Sequence, residues 1–112
     1  MPYRCRLLML TLLSLAPFAP SLAAEPLEVT VVIREHRFEP AEIKVPAGQK
    51  VKLIIDNQDA SAEEFESYEL NREKIVGANS RITVWVGPLK AGRYPFFGEF
   101  HQDTAQGVLI AE

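Results

Sequence analysis

Two histidines, His36 and His101, an acidic run Glu63-Glu64-Phe65-Glu66 and the isolated Glu99 are residues of this chain whose types can bind a metal ion. Imidazole and carboxylate form a hard-to-borderline donor set, which suits Cu(II), Fe(II), Fe(III), Mn or Zn better than Cu(I). The soft donors sit only at the start of the sequence: Cys5 is the single cysteine, and the methionines are Met1 and Met9. Catalytic constellations of other kinds are thin. From Glu25 onward there is no nucleophilic cysteine, no phosphate-cradling glycine loop and no Ser-His-Asp arrangement supported by position.

The segment that carries the soft donors reads as an export signal. Arg4 and Arg6 precede an apolar stretch from Leu7 to Leu15, and Pro17, Pro20 and the small residues Ser21, Ala23 and Ala24 follow. The apolar run is far short of the ~20 residues a spanning helix needs, and two prolines interrupt it. Cleavage is expected after Ala23 or Ala24. Removing 24 of 112 residues leaves 88, enough for one domain with a single modest core and no disulfide to staple it. Of 12 basic residues the signal takes Arg4 and Arg6, leaving 10 against 15 acidic ones, a net charge of −5. Such a domain has little to offer a phosphate backbone or an anionic membrane, so nucleic acid is not an expected partner.

The elements that must position the candidate ligands read as short strands. Val29, Val31 and Ile33 alternate with polar neighbours; the period of two returns at Ile43 and Val45, at Val51, Leu53 and Ile55, and at Ile82, Val84 and Val86. Pro46-Ala47-Gly48-Gln49 and Gly87-Pro88 read as turns, Gly92 opens Tyr94 and Phe96, and Gly107 to Ala111 forms a last apolar strand. Ser67 to Val76 is ambiguous and is read as two short strands. Trp85 points away from the face of Val84 and Val86, and Tyr94 is read as structural. Short strands with regular turn signals predict an all-β sandwich or barrel. Counting each turn as a reversal puts the connections at 36–40, 57–64, 77–80 and 98–104 at one end, which gathers both histidines and the acidic run there.

Phe38-x-Pro40-x-x-Ile43-x-Val45-x-x-Gly48-x-x-Val51, then Asn57-x-Asp59, Gly92-x-Tyr94-x-Phe96, His101 and Gly107 resemble a cupredoxin along the whole of residues 25–112. Within that family the chain is similar to the EfeO-type cupredoxin-like domains found beside bacterial iron-uptake systems. The resemblance implies a Greek-key β-sandwich with a metal site where the loops meet. It also exposes departures. The usual first histidine falls on Glu63 or Glu64, the cysteine position is Gly98, Thr104 or Ala105 stands near the axial methionine position, and His101 alone remains of the usual set. Without a thiolate a type 1 blue-copper site is not expected. The resemblance carries carboxylate ligands onto Glu64 and, behind it, Glu63, Glu66 and Glu99, and makes His101 with Glu64 the expected core pair. His36 is a further candidate. From residue type alone, His101 is equally a loop histidine packed on Phe100, His36 an exposed loop residue, and the acidic run a solvated loop.

The leading expectation is a periplasmic protein that binds copper or iron and serves an inner-membrane iron permease or another subunit of a ferrous-iron uptake system. A copper-dependent ferrous iron oxidase of that system and a metal-free docking sandwich are the alternatives.

Overall fold

The computed structural model describes Ser14 and residues 25–112, so the signal peptide read over residues 1–24 lies, Ser14 apart, outside the described residues. Nine strands build two facing sheets. The first runs β2 (Arg37–Glu39), β1 (Leu27–Arg34), β4 (Val51–Asn57), β7 (Arg81–Val86); the second runs β3 (Glu42–Val45), β9 (Gln106–Ala111), β8 (Gly92–Gly98), β5 (Glu63–Ser67), β6 (Arg72–Val76). β1 lies parallel to β4, with Val31 opposite Ile55, and β3 lies parallel to β9. The remaining pairings are antiparallel. No α-helix occurs among the described residues, and the one helical turn is a 3₁₀ segment over Glu99–His101. The expected all-β sandwich is therefore the observed architecture.

Alternation drives this arrangement. Val31, Ile33, Leu53, Ile55, Val84 and Val86 of the first sheet are buried against Ile43, Val45, Phe65, Phe96, Leu109 and Ala111 of the second. Three phenylalanines from three strands fill one end of the core. Phe38 meets Phe96 edge-on with ring centroids 4.9 Å apart, and Phe65 lies 5.2 Å from Phe96. Truncating a buried phenylalanine to alanine in such a core costs about 3–5 kcal/mol. This aromatic floor matters because side chains repeat every second residue along a strand. Glu63 stands two residues before Phe65 and Gly98 two residues after Phe96, so both project to the same inner side, above the floor.

Two expectations need correction. The acidic run Glu63–Glu66, read as loop, forms strand β5, because Phe65 and Ser67 both bury on the inner face and carry their neighbours into an extended ladder with β6 and β8. The span 36–40, read as a connection, contains the short strand β2 behind a two-residue turn at Glu35-His36. Both turn residues have positive φ, 52° and 56°, the geometry of the tight hairpin turns whose twist matches paired strands. The two strands expected within Ser67 to Val76 resolve as the end of β5 and the whole of β6. Trp85 is exposed as expected, with the Lys50 ammonium 4.8 Å from its ring centroid, and the Tyr94 hydroxyl donates to the Lys90 carbonyl at 2.7 Å.

Candidate metal centre

His36, Glu63 and His101 offer ligand atoms that all lie within 4.8 Å of one another. Three elements bring them together: the β1–β2 turn, the first residue of β5, and the 3₁₀ turn after β8. Glu63 is the anchor. It is 1% exposed, and an ionised carboxylate at that depth demands partners. Its Oε1 accepts the backbone N–H groups of Glu64 at 3.0 Å and Phe100 at 2.9 Å, while Oε2 lies 2.6 Å from His101 Nδ1. A contact that short requires one proton shared between Oε2 and Nδ1, while Oε1 accepts both backbone N–H groups. The ring of His101 is thereby fixed, with its side chain about one quarter exposed.

His36 is held through its backbone. The Asp59 carboxylate accepts from Glu35 N at 2.8 Å through Oδ1 and from His36 N at 3.0 Å through Oδ2, and the same Oδ2 sits 3.4 Å from His36 Nδ1. The Thr104 hydroxyl donates to the His36 carbonyl at 2.6 Å. These three hydrogen bonds, two to Asp59 and one from Thr104, hold two consecutive non-glycine residues in the left-handed region, a conformation that persists only where its surroundings fix it. Asp59 is placed in turn by Asn57, which is fully buried; its side-chain oxygen accepts Asp59 N while its amide donates to the carbonyls of Ser61 and Gly77. The His36 ring stacks on His101 with centroids 3.6 Å apart and 11° between planes. Parallel rings aim their nitrogen lone pairs side by side, so convergence on one cation requires a tilt of one ring. His36, with 44% of its side chain exposed, is the freer of the two.

The structure separates the sequence candidates into two groups. His36, Glu63 and His101 meet, and Glu99 lines the same open mouth as the two histidines; Glu64 and Glu66 do not join them. His101 contacts Glu63, whereas Glu64, its expected partner, faces the other way, because alternation along β5 turns Glu63 inward and Glu64 outward. Glu64 and Glu66 project from the outer face of the second sheet beside Glu73, with Glu66 directly opposite Glu73. The Glu64 carboxyl is pushed up to about 7 by its hydrogen bond to Glu73, by partial desolvation and by repulsion from Glu73, Glu66 and Glu99. That of Glu66 is raised by desolvation and by Glu99. Asp59 and Asn57 entered the sequence reading only as a motif; their spacing at a strand end was the signal available for them.

Two imidazoles and one carboxylate, open to solvent on the side lined by Phe100, Gln102 and Asp103, form a donor set suited to borderline divalent ions. The residues present fit such an ion. They do not fit a thiolate copper centre, since residues 25–112 contain neither cysteine nor methionine.

A Greek-key-like sandwich of two mixed sheets with candidate ligands on the loops of one end defines a cupredoxin-type protein. A model of the cupredoxin-like domain matches residues 6–111, and the chain belongs to that family. An uncharacterized protein of Rickettsia prowazekii (strain Madrid E) is 51% identical over 84 residues, covering 75% of this chain and 67% of that protein. Among solved structures, the metal-binding domain of the Streptococcus pneumoniae D39 Cu(I)-exporting P-type ATPase CopA superposes with a TM-score of 0.71 at 16% identity, covering 82% of this chain and 91% of that one. Auracyanin A, a "blue" copper protein of Chloroflexus aurantiacus, gives 0.68 at 16% identity over 78% and 99% of the two chains. At these identities the similarity is one of fold.

Proposed function

We propose that this is an exported metal-binding protein of the periplasm, which holds copper or iron at His36, Glu63 and His101 and serves a ferrous-iron uptake system. The observation that carries the reading is the buried Glu63 carboxylate, fixed by two backbone N–H groups and aimed at His101 Nδ1. A buried anion touching an imidazole at an open end of a sandwich is costly to maintain for stability alone. Copper as cargo draws support from the copper bound by auracyanin A and by the CopA domain; iron draws support from the two-histidine, one-carboxylate donor set and from the resemblance to EfeO-type domains. In that picture the partner is the inner-membrane permease or another subunit of the uptake system, and the centre is not of the blue-copper type.

What the chain's own residues do is bind and exchange. Glu63 supplies fixed negative charge, His101 a nitrogen held against it, and His36 a more exposed nitrogen on a hairpin turn. Imidazole and carboxylate bind a cation in their deprotonated forms, so uptake weakens in acid. Titration of the purified protein with Cu(II) and with Fe(II) tests the reading. One-to-one uptake that is lost in His101→Ala and Glu63→Ala is expected; no uptake of either ion at micromolar concentration would sink it.

A second reading, a copper-dependent ferrous oxidase, rests on a different observation. Glu64, Glu66, Glu73 and Glu99 crowd one another on the outer side of the second sheet, where concentrated negative charge favours ferric over ferrous iron. It requires copper-dependent oxidation of Fe(II), with dissolved dioxygen as the final electron acceptor, above background and lost in His101→Ala.

A further inference from the structure

Gly98 is buried at the end of β8 with φ −95° and ψ 113°, an extended conformation open to any residue. Its lack of a side chain therefore has no backbone cause. The cause is space. A Cβ built on Gly98 would lie 2.6 Å from Glu63 Cδ, 2.8 Å from Glu63 Oε1 and 2.7 Å from Ala105 Cβ. Real Cβ atoms do not approach so closely, and two of the three atoms met belong to one carboxylate. That carboxylate is not free to retreat: Oε1 is held by the N–H groups of Glu64 and Phe100, and Oε2 by His101. Gly98 N also donates to the Ala105 carbonyl at 2.8 Å, which holds the glycine backbone beside the slot.

We propose that Gly98 is the specificity-determining residue of the centre: its missing side chain leaves the slot that the Glu63 carboxylate fills, so a fixed anionic oxygen faces His101 and the site selects divalent ions such as Cu(II) over Cu(I). The inference rests on the metal-binding reading above and deepens it. The selectivity follows from donor type, since a carboxylate oxygen is a hard ligand that favours Cu(II), whereas Cu(I) is drawn to sulfur. Any side chain at 98 evicts the carboxylate, strands the two N–H groups that it accepts, and withdraws the anionic donor together.

The test has two arms. In the first, urea midpoints are measured on the metal-free protein for wild type, Gly98→Ala, Glu63→Ala and the double variant. Because a Cβ at 98 also meets Ala105 Cβ at 2.7 Å, all four are compared in an Ala105→Gly background, where Gly98→Ala is expected to lower the midpoint markedly with Glu63 present and much less when Glu63→Ala has emptied the slot; equal losses with and without Glu63 overturn the assignment. If Gly98→Ala does not fold in that background, recovery of a folded protein on adding Glu63→Ala supports the assignment, and failure to recover overturns it. In the second arm, Cu(II) and Cu(I) affinities are measured by chelator competition. Wild type is expected to hold Cu(II) at least about tenfold more tightly than Cu(I) and to lose that preference in Gly98→Ala; a wild type that holds Cu(I) as tightly as Cu(II) overturns the selectivity. The first arm is read without metal, so failure of this inference is distinct from a wild type that binds neither ion, which overturns the proposed function.

Discussion

Replacing Glu63 by leucine pits two opposed effects against each other on the metal-free protein. Removal of a buried charge saves its desolvation, and whole buried ion pairs replaced by apolar residues often leave a protein as stable or more so. Here, however, only one partner leaves. The backbone N–H groups of Glu64 and Phe100 point at the vacated carboxylate, and His101 Nδ1 faces it. His101 can turn to solvent, since its side chain is about one quarter exposed, but the two backbone donors cannot. At about 1–3 kcal/mol for each stranded donor, the expected loss is about 2–6 kcal/mol. That is a large share of the 5–15 kcal/mol typical of a whole domain. Glu63→Gln keeps one oxygen for the two N–H groups and gives up only the charge-assisted bond to His101, so its loss is smaller, about 1–3 kcal/mol. Urea unfolding of the metal-free protein, followed by tryptophan fluorescence from Trp85, measures both. A leucine variant as stable as wild type, or a glutamine variant less stable than the leucine one, refutes the account of Glu63 as an acceptor that satisfies fixed donors.

Metal uptake in Glu64→Ala is expected to match wild type while His36→Ala and His101→Ala each weaken it by about tenfold or more, the scale on which even outer partners of a metal ligand act; equal effects from Glu64 and His101, read by isothermal titration, would restore the outer face to the site. Asp59→Ala removes the acceptor of two N–H groups in the left-handed Glu35-His36 turn and is expected to lower metal affinity by about 10–100-fold; nuclear magnetic resonance of the His36 amide checks that the turn itself has changed. The Glu64 carboxyl, raised from 4.5 to about 7, favours its protonated form in the folded chain, so its stabilisation is complete below pH 4.5 and is lost as pH rises through 7. Glu73→Gln is accordingly expected to raise the urea midpoint at pH 8 and to lose that advantage toward pH 4.5. A gain independent of pH would show that repulsion across β5 and β6 is not its source.

Much of this was legible in the residues, and the reason is periodicity. Val31, Ile33, Leu53, Ile55, Val84 and Val86 alternate with polar neighbours and sit on the inner face as that alternation requires. The gathering of both histidines at one end followed from counting reversals. Which glutamate faces His101 did not follow, because a run of carboxylates carries no hydropathy contrast and a shift of one residue exchanges the two faces. A signal was present all the same: Phe65, the one apolar residue of the run, fixes its parity and turns Glu63 and Ser67 inward with it. The Glu35-His36 turn lacks the Asn-Gly or Asp-Gly pair that announces such turns; its left-handed backbone is held by Asp59, more than twenty residues away, and no local pattern reports that. Gly98 was readable only as an absent side chain. That the absence makes room for another residue's carboxylate is a fact of three dimensions.

His36 belongs to the hairpin of the first sheet, whereas Glu63 opens β5 of the second and His101 lies in the 3₁₀ turn joining that sheet's β8 and β9. An ion held by all three is therefore a clasp across the mouth of the sandwich, in a chain whose residues 25–112 have no disulfide to perform that task. Cargo and mechanical integrity become linked quantities. Ligand at a hundredfold excess over its dissociation constant adds about 2.7 kcal/mol against unfolding, and the same coupling means that any opening of the two sheets at this end loosens the grip on a bound ion.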